Sequence, residues 1–142
     1  TGPEDDIFRR NRIHSLKNAY FTGQKKVDEL PAYIAAYDVC INPQMVNEIT
    51  DGNYPLKIDE YLAMGKPTVA TSTHTMRNIF AGHTHLAINP EEWLAAIDRA
   101  VTEADDKELA KQRIAFAETH SWGHSVKKIY DIIDKFLKER TT

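Results

Sequence analysis

Residues 51–72 read DGNYPLKIDEYLAMGKPTVATS, and the order of residue types is loop, helix, stop, strand. Pro55 suits the first turn of a helix, where its missing N–H does no harm. Gly65 stands where a helix ends on a left-handed residue. Lys66-Pro67 then leads into the β-branched run Thr68 to Ser72. Upstream, Asp38-Val39-Cys40-Ile41-Asn42-Pro43 reads as a buried strand stopped by proline, and VDELPAYIAAYD before it as a helix with Pro31 in its first turn. The polar segment from Gln44 to Tyr54 carries no period. Ala19 to Gly23 is a further β-prone run closed by glycine. Downstream come a short helical piece near Thr75–Phe80 and a weak strand at Leu86-Ala87-Ile88. Four strands are therefore expected, near 19–23, 38–42, 68–72 and 85–88. Strands alternating with helices indicate an α/β fold, a parallel sheet covered on both faces.

From residue 89 onward only helices are expected. Asn89-Pro90-Glu91-Glu92 combines an N-cap, an N1 proline and two first-turn acids. The helix it opens should bury Leu94, Ile97 and Val101. A second, about Asp106 to Thr119, carries Ala110, Ile114 and Ala117 on one face. Ser121 caps a last helix striped by Val126, Ile129, Tyr130, Ile133, Phe136 and Leu137, which should dock on something. No repeat or linker interrupts residues 1–142, which read as one folding unit.

Composition narrows the function. The 142 residues are 42% hydrophobic and 27% charged with a net charge of −3, which excludes disordered and low-complexity classes. Without a basic excess, binding to a nucleic-acid backbone is not expected. The single cysteine, Cys40, lies in an apolar run, should be inert core and fits a reducing, cytoplasmic compartment. No apolar stretch approaches the ~20 residues of a membrane span, no signal peptide is visible, and TGPEDD reads as a continuation of something upstream.

Within 51–72, a helix starting at the carboxyl end of a strand points bare N–H groups and a positive dipole end into a cleft, a good place for phosphate. Lys57 lies in its first turn and Glu60 is three residues on, on roughly the same face. A cation with helix N–H groups can hold a diphosphate; a carboxylate one turn deeper can accept from two neighbouring hydroxyls. The plainer alternative is an exposed i,i+3 pair worth ~0.2–0.5 kcal/mol. His83 with His85, and His120 with His124, lack the further ligands a metal site needs, so no metal is expected. His74 and Arg77, after the Thr68–Ser72 strand, and Lys25 and Lys26, after the 19–23 run, are cleft candidates with equally good readings as solvated surface. Trp93 and Trp122 read as packing residues. No GxSxG, P-loop or GxGxxG is present.

The string P-x-K-x-x-E-Y-x-A-x-G-K-P-x-V-A-T, Pro55 to Thr71, resembles the donor-binding signature of GT-B glycosyltransferases of the large retaining group called family 4. Phe21-Thr22-Gly23, Leu30-Pro31-x-Tyr33, Asp38-Val39-x-Ile41-x-Pro43 and His120-Ser121-Trp122 are similar to further pieces of that family, in its order. The resemblance implies a Rossmann-like sheet flanked by helices, the C-terminal half of the GT-B fold truncated at its N-terminus. It assigns Glu60 to the ribose hydroxyls and Lys57 to the donor phosphates and leaving group. Asn53 and Tyr54 would present backbone N–H groups. The family pattern has a second glutamate eight positions before the first, where this chain has Gly52, so that role is vacant or passes to Asp51 or Glu48.

The implied parent transfers a sugar from a nucleotide diphosphate sugar to an acceptor hydroxyl, with retention, without a metal or other cofactor, in polysaccharide biosynthesis. Its sugar or lipid-linked acceptor and its general base would belong to an N-terminal domain outside this sequence, which could also hold the enzyme peripherally at the inner membrane. The alternatives are a non-catalytic nucleotide-sugar-binding or regulatory module, motivated by Gly52, and a nucleotide-sugar epimerase. The resembled domain has six strands against the four read here. The missing ones would lie between the 19–23 and 38–42 strands, so the chain should close its sheet differently, pair with a second copy or be accompanied by the missing piece.

Overall fold

A computed structural model describes residues 2 and 4–140. They fall into two compact units, residues 1–33 and 34–142. The first unit holds helix α1 (Asp6–Arg9) and a 3-10 turn (Arg12–Ser15). Asp5 caps α1 through Phe8 N (2.6 Å), and Asn11 caps the turn through Ile13 N. Its aromatic centre is local: His14 stacks on Phe21 with ring centroids 3.8 Å apart, and Phe8 meets both edge-on. Helix α2 (Leu30–Ala35) carries Pro31 in its first turn and runs across the boundary between the units.

The second unit is the α/β domain. Its sheet has three parallel strands, β1 (Cys40–Asn42), β2 (Thr68–Thr71) and β3 (His85–Ala87), in the order β1-β2-β3. Cys40 pairs with Thr68 and Val69 with His85, and each ladder continues in register from there. All four β2 residues are buried, as a central strand covered on both faces requires. Because side chains alternate along a strand, the two faces serve two cores. Ala70 joins Ile58, Leu62, Met76, Phe80 and Ala117. Val69 joins Ala87, Ala96 and Ala100, with Val39, Trp93 and Ile97 at the margin.

Helices supply those layers. Helix α4 (Leu56–Ala63) packs on β1, β2 and α6 (Lys107–Glu118), while α5 (Pro90–Thr102) covers β2 and β3. Between β1 and α4 lies a one-turn helix, α3 (Glu48–Asp51), and a π-helical turn (Met76–Phe80) precedes β3. Asn89 and Asp106 cap α5 and α6 as their sequences indicate. The end of α4 is a Schellman motif: Gly65 N donates to Leu62 O (2.8 Å) and Lys66 N to Tyr61 O (3.0 Å), with Gly65 at φ +71°.

Three expectations are revised. The run 19–23 is not a strand. Tyr20 is exposed, Phe21 packs its ring on His14, and Gly23 O accepts from Gly2 N (3.0 Å), so no strand ladder forms. On α5 the buried residues are Ala96 and Ala100, while Leu94 and Val101 are exposed and Ile97 is half-buried. On α6, Ala117 is buried as expected, but Ile114 is exposed and Arg113 is buried instead. Arg113 Nη2 donates to Glu103 Oε2, and its Nη1 lies 3.4 Å from Gly65 O, which explains how a charge sits inside. Helix α7 (Trp122–Arg140) forms where expected and buries none of its residues among the described ones.

Two consequences can be measured. A Cβ on Gly65 would sit 3.1 Å from Ala110 Cβ while holding a positive φ. Gly65→Ala should therefore destabilise by about 1–2 kcal/mol from the backbone alone, read as a lower urea midpoint. His83 stacks on Phe116 at 3.9 Å, and burial, then the charges of His120 and Arg113, hold its pKa below the ordinary 6.5. The unfolded chain takes the proton at the ordinary value and the folded chain resists it, so stability is intact above that value and falls as pH drops through it. His83→Phe, which keeps the stacked ring, should show a shallower loss of melting temperature between about pH 7 and about pH 5.

Candidate functional site

Ligands of open parallel sheets sit beyond the carboxyl ends of the strands, which here are Asn42, Thr71 and Ala87. At the first of these opens a cleft of about 320 Å³, lined by Asn42, Gln44 and residues 53–57. Its floor is tied across the sheet: Gln44 N donates to Thr71 Oγ1 (2.7 Å), joining the ends of β1 and β2. The loop that returns from β1 contains α3, whose N-cap Asn47 accepts from Ile49 N and Thr50 N while Thr50 Oγ1 accepts from Asn47 N (3.0 Å). That capping box was written as Asn-x-x-Thr in a segment without apolar period. Asp51 then accepts from His74 N (2.7 Å), fastening this loop to the one that follows β2.

Helix α4 opens on this cleft. Its N-cap is Pro55, which offers no side-chain hydrogen bond to the first turn, so the positive end of the helix dipole carries no internal cap. Lys57, exposed, lies in that first turn and lines the cleft with Asn53 and Tyr54. Glu60 is exposed one turn further along and is not part of the lining. No ion pair joins it to Lys57 among the described residues. The structure thus brings Asn53, Tyr54 and Lys57 together, with Glu60 on the same helix and Asp51 and Gly52 behind.

The carboxylate of Asp51 is engaged by backbone rather than facing the cleft lining. Gly52 is the C-cap of α3 at φ −95°, and a side chain there would meet nothing within 4 Å. Glu48 is exposed in the first turn of α3. Of the other cleft candidates, Lys26 N donates to Glu29 Oε2 and Lys25 lies over the Tyr33 ring, both within the first unit. Arg77 donates to Ser72 O (2.6 Å), and His74 Nε2 pairs with Asn78 Nδ2 (2.8 Å). Cys40 is buried, and desolvation pushes its thiol up to about 11 against the opposing charge of Lys66. It is core.

Beside the cleft stands a cluster the sequence did not reveal. Tyr54 donates its hydroxyl to Asp59 Oδ2 (2.6 Å), and His120 Nδ1 lies 2.8 Å from Asp59 Oδ1 and 3.3 Å from the Tyr54 oxygen. Burial first, then the bond to and the charge of Asp59, hold the Tyr54 phenol well above its ordinary value. Phe80 backs both rings, and Phe116 meets His120 edge-on at 4.6 Å. His120 had drawn notice within His-Ser-Trp and as a rejected metal pair with His124; Asp59, one residue before Glu60, had drawn none.

At the amino ends of the strands, Glu103 bridges His85 Nε2 (3.0 Å) and Arg113. A recess of about 190 Å³ adjoins them. No group of three or more metal-ligating side chains is assembled among the described residues. No helix among them is long and apolar enough to cross a membrane.

Comparison with known proteins bears on this arrangement. A relative, "Putative teichuronic acid biosynthesis glycosyltransferase TuaH" of Bacillus subtilis (strain 168), is 29% identical over 110 residues, which are 75% of this chain and 28% of that protein. The chain therefore spans less than a third of the relative's length. No solved structure matches. The family model described as "Glycosyl transferases group 1" matches residues 1–103, which include the cleft, α4 and all three strands. With well over half of its length matched, the chain belongs to the group 1 glycosyl transferases.

Proposed function

We propose that this glycosyltransferase chain is the donor-binding part of an enzyme that moves a sugar from a nucleotide diphosphate sugar to an acceptor hydroxyl. The observation that carries the reading is the cleft at the carboxyl end of β1, into which an uncapped helix start and Lys57 project together. A diphosphate is the anion such a place suits: N–H groups and dipole meet its oxygens, and the ammonium of Lys57 offsets the charge that develops on the leaving group. Glu60 takes the ribose hydroxyls in this reading, and Asn53 and Tyr54 contribute backbone donors. With Lys57 and the helix supplying positive charge, no metal is required. Retention at the transferred sugar and a GT-B arrangement follow from the resemblance of Pro55 to Thr71. The sugar or lipid-linked acceptor and the general base then belong to a further domain. On the likeness to the teichuronic acid enzyme, we place the parent in polysaccharide biosynthesis; the lone buried cysteine favours the cytoplasm, with the further domain holding the enzyme peripherally at the inner membrane.

A second reading, a nucleotide-sugar-binding module without catalysis, is favoured by one observation: position 52 has no side chain and Asp51 is bound to His74 N, leaving no acid in the lining. Transfer of radiolabelled sugar by the full-length parent distinguishes the two, since a module without catalysis yields none.

Each charged hydrogen bond lost is worth roughly 1.5–3 kcal/mol, so Glu60→Ala should weaken nucleoside diphosphate binding by at least about tenfold by calorimetry. Equal affinities would remove Glu60 from the site. Lys57→Ala should weaken a nucleoside diphosphate much more than the bare nucleoside; a uniform loss would mean a disturbed helix. Binding and transfer should both survive EDTA, and activity restored only by added Mg²⁺ or Mn²⁺ would contradict the electrostatic account.

A further inference from the structure

An ionised carboxylate only accepts hydrogen bonds, whereas a phenol and an imidazole can each donate. With Tyr54 and His120 on its two oxygens, Asp59 therefore receives a proton donor on each. This fixes the tautomer: His120 carries its proton on Nδ1, and the same N–H faces the Tyr54 oxygen at 3.3 Å. The hydroxyl of Tyr54 is spent on this triangle, and its phenol, held above the ordinary value, stays protonated at neutral pH. With its hydroxyl hydrogen given to Asp59, Tyr54 still lines the cleft and immediately precedes Pro55, the N-cap of α4. His120 reaches this point from the turn between α6 and α7, 61 residues away from Asp59.

We infer that Asp59 and His120 are positioning residues that clamp the Tyr54 hydroxyl, and through it the 53–55 segment, so that the cleft wall and the first turn of α4 are preset for a diphosphate. The inference rests on the donor-site reading above and deepens it. The clamp acts on phosphate recognition and leaves the bare nucleoside almost indifferent, because what it holds in place is the approach to the helix start. Its three members serve as one unit, so removing any one donor or acceptor should loosen the same segment.

The test is calorimetry on the full chain with ADP, GDP and UDP, each beside its nucleoside, on wild type and four variants. Tyr54→Phe keeps the ring against Phe80 and loses only the hydroxyl. His120→Leu loses the donor, and His120→Asn restores an N–H near the position of Nδ1. Glu60→Ala reports on the donor site independently of the clamp. The expected result is that Tyr54→Phe and His120→Leu each lose roughly tenfold for the diphosphate that wild type binds, with less than about twofold loss for its nucleoside. His120→Asn should recover most of the affinity. Wild-type affinity in Tyr54→Phe, with Glu60→Ala weakened, would overturn the clamp and leave the donor site standing. Equal losses for diphosphate and nucleoside would also overturn it, as the mark of a packing role. Absence of binding by wild type to all three diphosphates would overturn the donor-site reading and the clamp together. Should His120→Leu fail to fold, Tyr54→Phe alone decides.

Discussion

The burial of β2 on both faces is the constraint from which the second unit is built. Four consecutive residues, Thr68 to Thr71, are shut away from water, and each strand side needs its own apolar cover. Ala70 and Val69 point into different cores, so α4 and α6 must lie on one side of the sheet and α5 on the other. The polar atoms that come with a Thr-flanked strand are satisfied in place: Thr68 Oγ1 donates to Lys66 O and Thr71 Oγ1 accepts from Gln44 N. Once β2 is fixed, its carboxyl end and that of β1 are fixed with it, and the loops beyond them have little freedom left.

That rigidity is what the proposed phosphate cleft would require, because backbone donors recognise an anion only if they are already aimed. Two cross-ties hold these loops. Gln44 N on Thr71 Oγ1 seals the strand ends, and His74 N on Asp51 draws the α3 loop toward the end of β2. The engagement of Asp51 is informative: its Oδ1 is held by the backbone amide of His74. The family pattern suggested it as a substitute for the acid missing at position 52; in the fold it also fastens one loop to the other.

How much could be read in advance follows from which signals are local. The end of α4 at Gly65, the caps at Asn89 and Asp106, and the strands at 40–42, 68–71 and 85–87 all rest on neighbouring residues, and all were legible. So was the placement of Lys57 in a first turn beside a strand end. The 19–23 run failed because a strand needs a partner, and Phe21 found the ring of His14 instead. The face of α5 failed for a steric reason. Leu94 and Val101 have the right spacing, but Ala96 and Ala100 let the helix backbone approach Val69 and Ala87, and the bulkier Trp93 and Ile97 pack at the margin. Arg113 on α6 could not be foreseen, since only the fold brings Glu103 and the Gly65 carbonyl to it. The Asp59–His120 contact joins residues 61 apart and has no period at all.

The charged groups around the cleft divide by what already occupies them. Asp51 and Asp59, the two acids nearest the helix start, are both committed, one to an amide and the other to a phenol and an imidazole. Their negative charge is thereby partly neutralised by donors within the protein, which matters because free carboxylates beside an anion site would repel a diphosphate. Lys57 stays exposed at the cleft and Glu60 stays exposed one turn away. Adjacent acids on one helix, Asp59 and Glu60, thus differ in availability because Asp59 projects toward Tyr54 and His120 while Glu60 faces solvent. Sequence spacing could nominate either; only the side of α4 on which each falls separates the acid tied into the protein from the one left exposed.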